Sequence, residues 1–229
     1  MTEHNPSKRT IRSYVRRTGR ITPSQQRALR DHWDRYGIAY EPRTLPLDDV
    51  FGRNAKKILE IGFGNGETLV QAAIEYPEFD YIGIEVHEPG AGHCILKAAE
   101  ADIDNLRIVI HDALEVLRDQ IADNELSRIN LLFPDPWPKK RHHKRRLINK
   151  PFLDLAATRL SRGGALYLAT DWENYAEHID EVMLGRADFT LIEKRKHVGD
   201  QPLDRHMTKF EMRGLKRGHS IWDWHFERR

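Results

Sequence analysis

Cysteine is almost missing: Cys94 is the only one in 229 residues. That excludes an intramolecular disulfide and any metal site built on clustered thiolates, and it suits a reducing cytoplasm. No apolar run approaches the roughly 18 residues a membrane span needs, so no membrane association is expected. The N-terminus has cations but no apolar core, which argues against a secretory signal. Pro6, Gly19 and Pro23 interrupt the long amphipathic helix of a mitochondrial leader. Internal repeats and low-complexity tracts are absent. Acids are scarce at the N-terminus: residues 1–30 contain Glu3 alone, against Lys8, Arg9, Arg12, Arg16, Arg17, Arg20, Arg27 and Arg30.

What is present is concentrated. The formal net charge is only +2, so the cations matter by position. Beside the basic N-terminus stands a second block, Lys139-Lys-Arg-His-His-Lys-Arg-Arg146. Focused positive charge on a nearly balanced chain points to a polyanion partner. The block follows Phe133-Pro-Asp-Pro-Trp-Pro138 directly. The apolar run Ile129–Phe133 reads as a buried strand that must stop there, because proline cannot donate to a sheet ladder. One carboxylate (Asp135) and one large aromatic (Trp137) thus mark a stiff corner beside a cationic loop. Such a corner can hold a planar base near a phosphate backbone. His142 and His143 lack convergent ligands, and no metal is expected.

Residues 1–25 are expected to form a flexible basic arm, and 26–229 a single domain. A helix is expected from Ser24 to about Trp33, then a proline-punctuated connector over 39–51. From Lys57 the pattern alternates strand and helix. Strands are predicted at 57–61, 81–85, 106–110, 129–133, 165–169, 189–194 and 221–226. Helices are predicted at 67–76, 89–101, 113–121, 150–160 and 173–184. Short apolar strands separated by helices imply an α/β fold with a mostly parallel sheet and helices on both faces. Ligands of such sheets bind beyond the carboxyl ends of the strands. Trp222, Trp224 and Phe226 alternate as strand residues do, which favours core packing over base stacking.

The first strand runs into Gly62-Phe-Gly-Asn-Gly66. Glycines let a backbone turn tightly and approach a ligand closely. The spacing is not the G-x-G-x-x-G of dinucleotide binders, and Glu60 and Glu67 flanking the loop would repel a pyrophosphate. A cationic ligand suits it better. Glu60, Glu85, Asp112 and Asp135 close four successive strands and should border one crevice. Glu85, about twenty residues beyond the glycines, is positioned to accept from ribose hydroxyls.

These residues resemble the class I S-adenosylmethionine-dependent methyltransferases, and more closely the bacterial tRNA (guanine-N7)-methyltransferases. The resemblance rests on Glu60–Gly66, Phe133–Lys140, Arg141–Arg146, Thr170–Glu173 and Thr208–Glu211. It implies a Rossmann-like fold with an antiparallel C-terminal strand. It also implies methyl transfer from S-adenosyl-L-methionine to guanine N7 in the variable loop of tRNA. Carried over by residue, it implies cofactor contacts from Glu60, Gly62, Gly64, Gly66, Glu85, Asp112 and Asp135, with Asp135 also catalytic. Substrate contacts would come from Lys139, Asp171, Thr208, Lys209, Phe210 and Glu211. RNA contacts would come from Arg141, His142, His143, Lys144, Arg145 and Arg146. A cytoplasmic monomer or weak homodimer is expected. Without the resemblance, 208–211 reads as the start of an ordinary amphipathic helix. A nicotinamide-dependent oxidoreductase, a non-catalytic RNA-binding protein and an exocyclic-amine methyltransferase are the alternatives. Cofactor choice, methyl transfer and product charge, respectively, separate them.

Overall fold

In the computed structural model the described residues are 13–14, 19–198, 202–203, 205–216 and 218–229. The expected N-terminal arm therefore lies largely outside them. The chain begins with α1 (Pro23–Tyr36), β1 (Gly37–Ile38) and α2 (Leu47–Phe51), then β2 (Lys57–Ile61), α3 (Glu67–Glu75), β3 (Asp80–Ile84) and α4 (Glu88–Glu100). It continues through β4 (Leu106–Val109), α5 (Ala113–Asp119), β5 (Leu126–Leu132) and a 3-10 turn (Lys140–Arg145). The last elements are α6 (Lys150–Arg159), β6 (Leu160–Thr170), α7 (Glu173–Met183), β7 (Phe189–His197), α8 (Lys209–Lys216) and β8 (Ile221–Arg228).

All eight strands form one sheet in the order β1-β4-β3-β2-β5-β6-β8-β7. The first six run parallel, and β8 inserts antiparallel between β6 and β7. The fold is the expected mixed, mostly parallel α/β sheet with an antiparallel C-terminal strand.

Every residue of β2 is buried, as befits a central parallel strand covered on both faces. Side chains alternate between faces. Leu59 and Ile61 join Val116, Phe152 and Tyr175 from α5, α6 and α7 in one core. Ile58 joins Leu69, Cys94 and Ile95 from α3 and α4 in the other. The aromatic alternation of β8 also packs as expected: Trp224 is fully buried and Phe226 nearly so.

Local signals explain where helices begin. Thr22 caps α1 through a reciprocal box with Gln25, with Pro23 in its first turn. The α6 start is capped by Asn149. Three elements fall outside the sequence expectations: β1, α2, which lies in the expected connector, and the 3-10 turn, which lies in the expected cationic loop. All three are short, and a two-residue edge strand is set by its partner β4 rather than by local pattern. Among the described residues no helix is long and apolar enough to cross a membrane.

Candidate active site

The carboxyl edge of the parallel strands opens into a cavity of about 380 Å³. Gly62, Gly64, Glu85, His111, Phe133 and Asp135 border it, and its volume suits a drug-sized or cofactor-sized ligand. Gly62, Gly64 and Gly66 all have φ between +60° and +73°, the left-handed region that side chains disfavour. At Gly66 space forbids a side chain as well, since a Cβ would lie 2.3 Å from Cys94 Sγ. Gly90 of α4 similarly touches the loop, where its Cβ would lie 2.3 Å from the Gly64 carbonyl oxygen. Close packing on α4 thus sets the loop's shape.

Glu85 joins the two cavity-lining turns. Its Oε2 accepts from Gly64 N at 3.0 Å, and its Oε1 accepts from Val86 N at 2.7 Å and His87 N at 3.0 Å. A carboxylate has about four lone-pair sites, so capacity remains for ligand hydroxyls. Asp112 caps α5, accepting from Leu114 N at 2.9 Å. Its neighbours His111 and Ala113 line the cavity. His111 stacks on Tyr40, with ring centroids 3.7 Å apart, and binds Glu115 at 2.5 Å. Neither Tyr40 nor His111 was singled out from the sequence. Their pairing is long-range, and only the strand-end position of His111 hinted at it.

The proline corner is strained at both ends. Phe133 has φ +52° and Trp137 φ +46°, each costing on the order of 1–3 kcal/mol. Tertiary contacts hold it in place. Phe133 N donates to Ala169 O at 2.8 Å. Trp137 Nε1 donates to Ser13 O at 3.0 Å, and the Arg145 guanidinium covers its ring at 4.9 Å. Between these ends Asp135 is exposed at the cavity rim, and no cation pairs with it among the described residues.

The basic block coils into the 3-10 turn. Lys139, Arg141 and Lys144 are exposed, while His142, His143 and Arg145 are half-buried. Burial, and then Arg141 and Arg145, hold the His142 pKa below the ordinary imidazole value. Arg146 departs from its expected role in RNA contact. It is 2% exposed, and its guanidinium points inward. It donates to Pro136 O at 3.0 Å and to Asn174 Oδ1 at 2.7 Å. It also lies over the Tyr175 ring at 4.9 Å. A guanidinium committed to those acceptors fixes the corner and presents nothing to a phosphate.

Glu60 likewise departs from the expected crevice. It does not line the cavity. Its position in β2 places it with Ile58 on the other sheet face, bordering a separate groove with Arg128 and Asn130. Burial pushes its pKa up to about 7, against the opposing pull of Arg128, Asn130 and Arg205. Gly66 also lies behind the cavity wall rather than in it.

The later motifs converge on α8. Thr208 Oγ1 accepts from Glu211 N at 3.1 Å, and Glu211 Oε2 accepts from Thr208 N at 3.2 Å, a reciprocal cap. Glu211 is fully buried, so its carboxylate faces the interior rather than the cavity. Lys209 pairs with Glu67 at the start of α3. Phe210 is 60% exposed and lines the cavity next to Gly64. Asp171, at the end of β6, lies 3.4 Å from His219 Nδ1 and close under Gly214 of α8.

Residues 54–224 match the profile of a family described as "Putative methyltransferase". The tRNA (guanine-N(7)-)-methyltransferase of Shewanella piezotolerans is 50% identical, over 96% of this chain and 93% of that protein. The enzyme of that name from Yersinia enterocolitica is 45% identical, over 99% of this chain and 95% of its own length. The chain belongs to the tRNA (guanine-N7)-methyltransferase family. Among solved structures, an antibiotic related methyltransferase superposes with a TM-score of 0.55 at 18% identity, covering 79% of this chain and 92% of its own. TrmN from Thermus thermophilus gives 0.55 at 17% identity, covering 90% of this chain and 48% of its own. These two share the fold. The family match runs from just before β2 into β8, and so includes the glycine loop, the proline corner, the basic turn and α8.

Proposed function

We propose that this protein transfers a methyl group from S-adenosyl-L-methionine to N7 of a guanine in the variable loop of tRNA, in the cytoplasm. One observation carries the reading. A cavity lined by the glycine loop and the Glu85 carboxylate opens directly onto Asp135, and the basic turn begins five residues later.

The cavity's chemistry fits that cofactor. Gly62 and Gly64 offer a wall without Cβ atoms, and Glu85 and Asp135 supply negative charge toward a cation. Glu85 is the residue for the ribose, and the His111–Ala113 stretch for the adenine. When bound, S-adenosylmethionine supplies a methyl on a sulfonium, which guanine N7 takes with its in-plane lone pair as the carbon–sulfur bond breaks. N7 carries no proton in the reactant, so Asp135 need not act as a base. Its work is to orient the guanine and to favour the positive charge that the purine acquires. Alignment of the reacting groups supplies most of the catalysis, up to about 7–11 kcal/mol in favourable cases. Phe133 and Phe210 offer aromatic surface in the cavity. Arg141, Lys144 and Arg145 are the cations for tRNA phosphates, with Lys139 at the junction.

Guanine N7 faces the major groove, which is deep and narrow in A-form RNA. A loop guanine is the reachable target. Incubation with unmodified tRNA and labelled cofactor, followed by nucleoside mapping, tests the reading. Labelled 7-methylguanosine at one loop position is the expected result. Label in an exocyclic-amine product, or none, would reject it.

A further inference from the structure

Arg205 belongs to none of the motifs above, yet its guanidinium links two of them, the proline corner and the start of α8, to strand β8. Its side chain is 4% exposed. Nη1 donates to Glu211 Oε2 at 2.7 Å, and Nη2 donates to Asp223 Oδ1 at 2.7 Å. The same group lies over the Phe133 ring at 5.6 Å. Asp223, on β8, accepts on its other oxygen from His197 Nε2 of β7 at 2.8 Å. His197, Glu211 and Asp223 bring their donor atoms within 4.8 Å of one another, and the cation bonded to both carboxylates is the guanidinium. Burial works against its charge, but Glu211 and Asp223 together hold its pKa above the ordinary value.

Each partner leads to the cavity. Glu211 caps α8, which carries Phe210 to the cavity rim. Phe133 begins the strained corner that carries Asp135. Asp223 ties both to the rigid sheet. We propose that Arg205 is a positioning residue that keeps α8 and the Asp135 corner in fixed relation, so that guanine and methyl donor meet in line. This rests on the function proposed above. The fork of a guanidinium is needed, because a lysine ammonium cannot bridge two carboxylates and stack on a ring at once.

The test is Arg205→Lys, which keeps the buried charge, with Asp223→Asn as a second variant that keeps the shape and weakens the anchor. Three measurements are compared with wild type. They are amide exchange in α8, kcat at saturating tRNA and cofactor, and KM for tRNA with its salt dependence. Looser α8 amides and a kcat lower by about 10–100-fold are expected, with KM and salt slope unchanged because Arg205 touches no solvent-facing phosphate site. Asp223→Asn should show the same split more weakly. Unchanged kcat in a folded Arg205→Lys protein overturns the proposal, whether or not α8 loosens. A lower kcat with α8 exchange unchanged also overturns it, since the effect would then not pass through the helix. If wild type itself makes no 7-methylguanosine, the functional reading fails. The α8 exchange data still decide the anchoring half without turnover.

Discussion

Asp135 is an exposed carboxylate on a strained corner, and its position separates the role proposed for it from any role in stability. Exposed side chains without partners change stability by no more than about 0.5 kcal/mol when truncated. Asp135→Ala should therefore melt with wild type while methyl transfer falls by about 10²–10³-fold, the usual loss when one preorganised electrostatic group is removed. A folded variant with ordinary turnover would take Asp135 out of the reaction. Gly66 is the opposite case, where geometry alone decides. Its φ of +73° disfavours any Cβ, and the space is already filled by Cys94. Gly66→Ala combines a left-handed residue, about 1–2 kcal/mol, with overpacking, about 1–3 kcal/mol. Thermal melting should report the sum. Calorimetry with S-adenosylhomocysteine should report weaker binding, since the loop cannot relax without moving Gly64.

At the scale of elements, the 3-10 turn shows how far a local pattern can be read. The eight-residue basic block that contains it, Lys139–Arg146, stands out in the sequence, and its clustering needs no tertiary information to be noticed. Which of its residues face solvent does need it. The turn folds Arg146 under the proline corner, against α7, while Arg141 and Lys144 stay outside. Neutralising Arg141, Lys144 and Arg145 together should therefore make the slope of log affinity against log salt shallower by about 2–3 units, at roughly 0.7–0.9 per phosphate contact. Arg146→Lys should leave that slope alone and lower turnover instead. A titration in which the triple variant keeps the wild-type slope would make the turn ordinary surface. The same division runs through the fold. Strands and helices from β2 onward repeat periods carried by their own residues, so they were legible. The longer reach of β5, β6 and β7 was not, because Ser127, Ser161 and Lys196 look polar and become strand only through their neighbours' ladders. Glu85, Asp112 and Asp135 could be placed at the carboxyl edge by counting strands. Glu60 and Glu211 could not, because one lies a residue too early to reach the cavity and the other is turned inward by Arg205.

At the scale of the whole molecule, the buried acid on the far sheet face connects stability to pH. Burial pushes the Glu60 pKa up to about 7 in the folded chain, against 4.5 for an ordinary glutamate, because it disfavours the charge more than Arg128, Asn130 and Arg205 favour it. Between those two values the folded protein holds a proton that the unfolded chain has released. Stability therefore falls as pH rises through that window and stops falling above about 7. The accumulated cost of ionising the buried group is about 3 kcal/mol. Glu60→Gln keeps the shape and removes the titration. Its advantage over wild type should be absent near pH 4.5, grow across the window and reach a plateau above 7. Other titrating groups cancel in the difference between the two proteins. Denaturant melts of both across that range measure it directly. A constant difference at every pH would mean that Glu60 stays ionised throughout, with Arg128 and Asn130 compensating its burial in full.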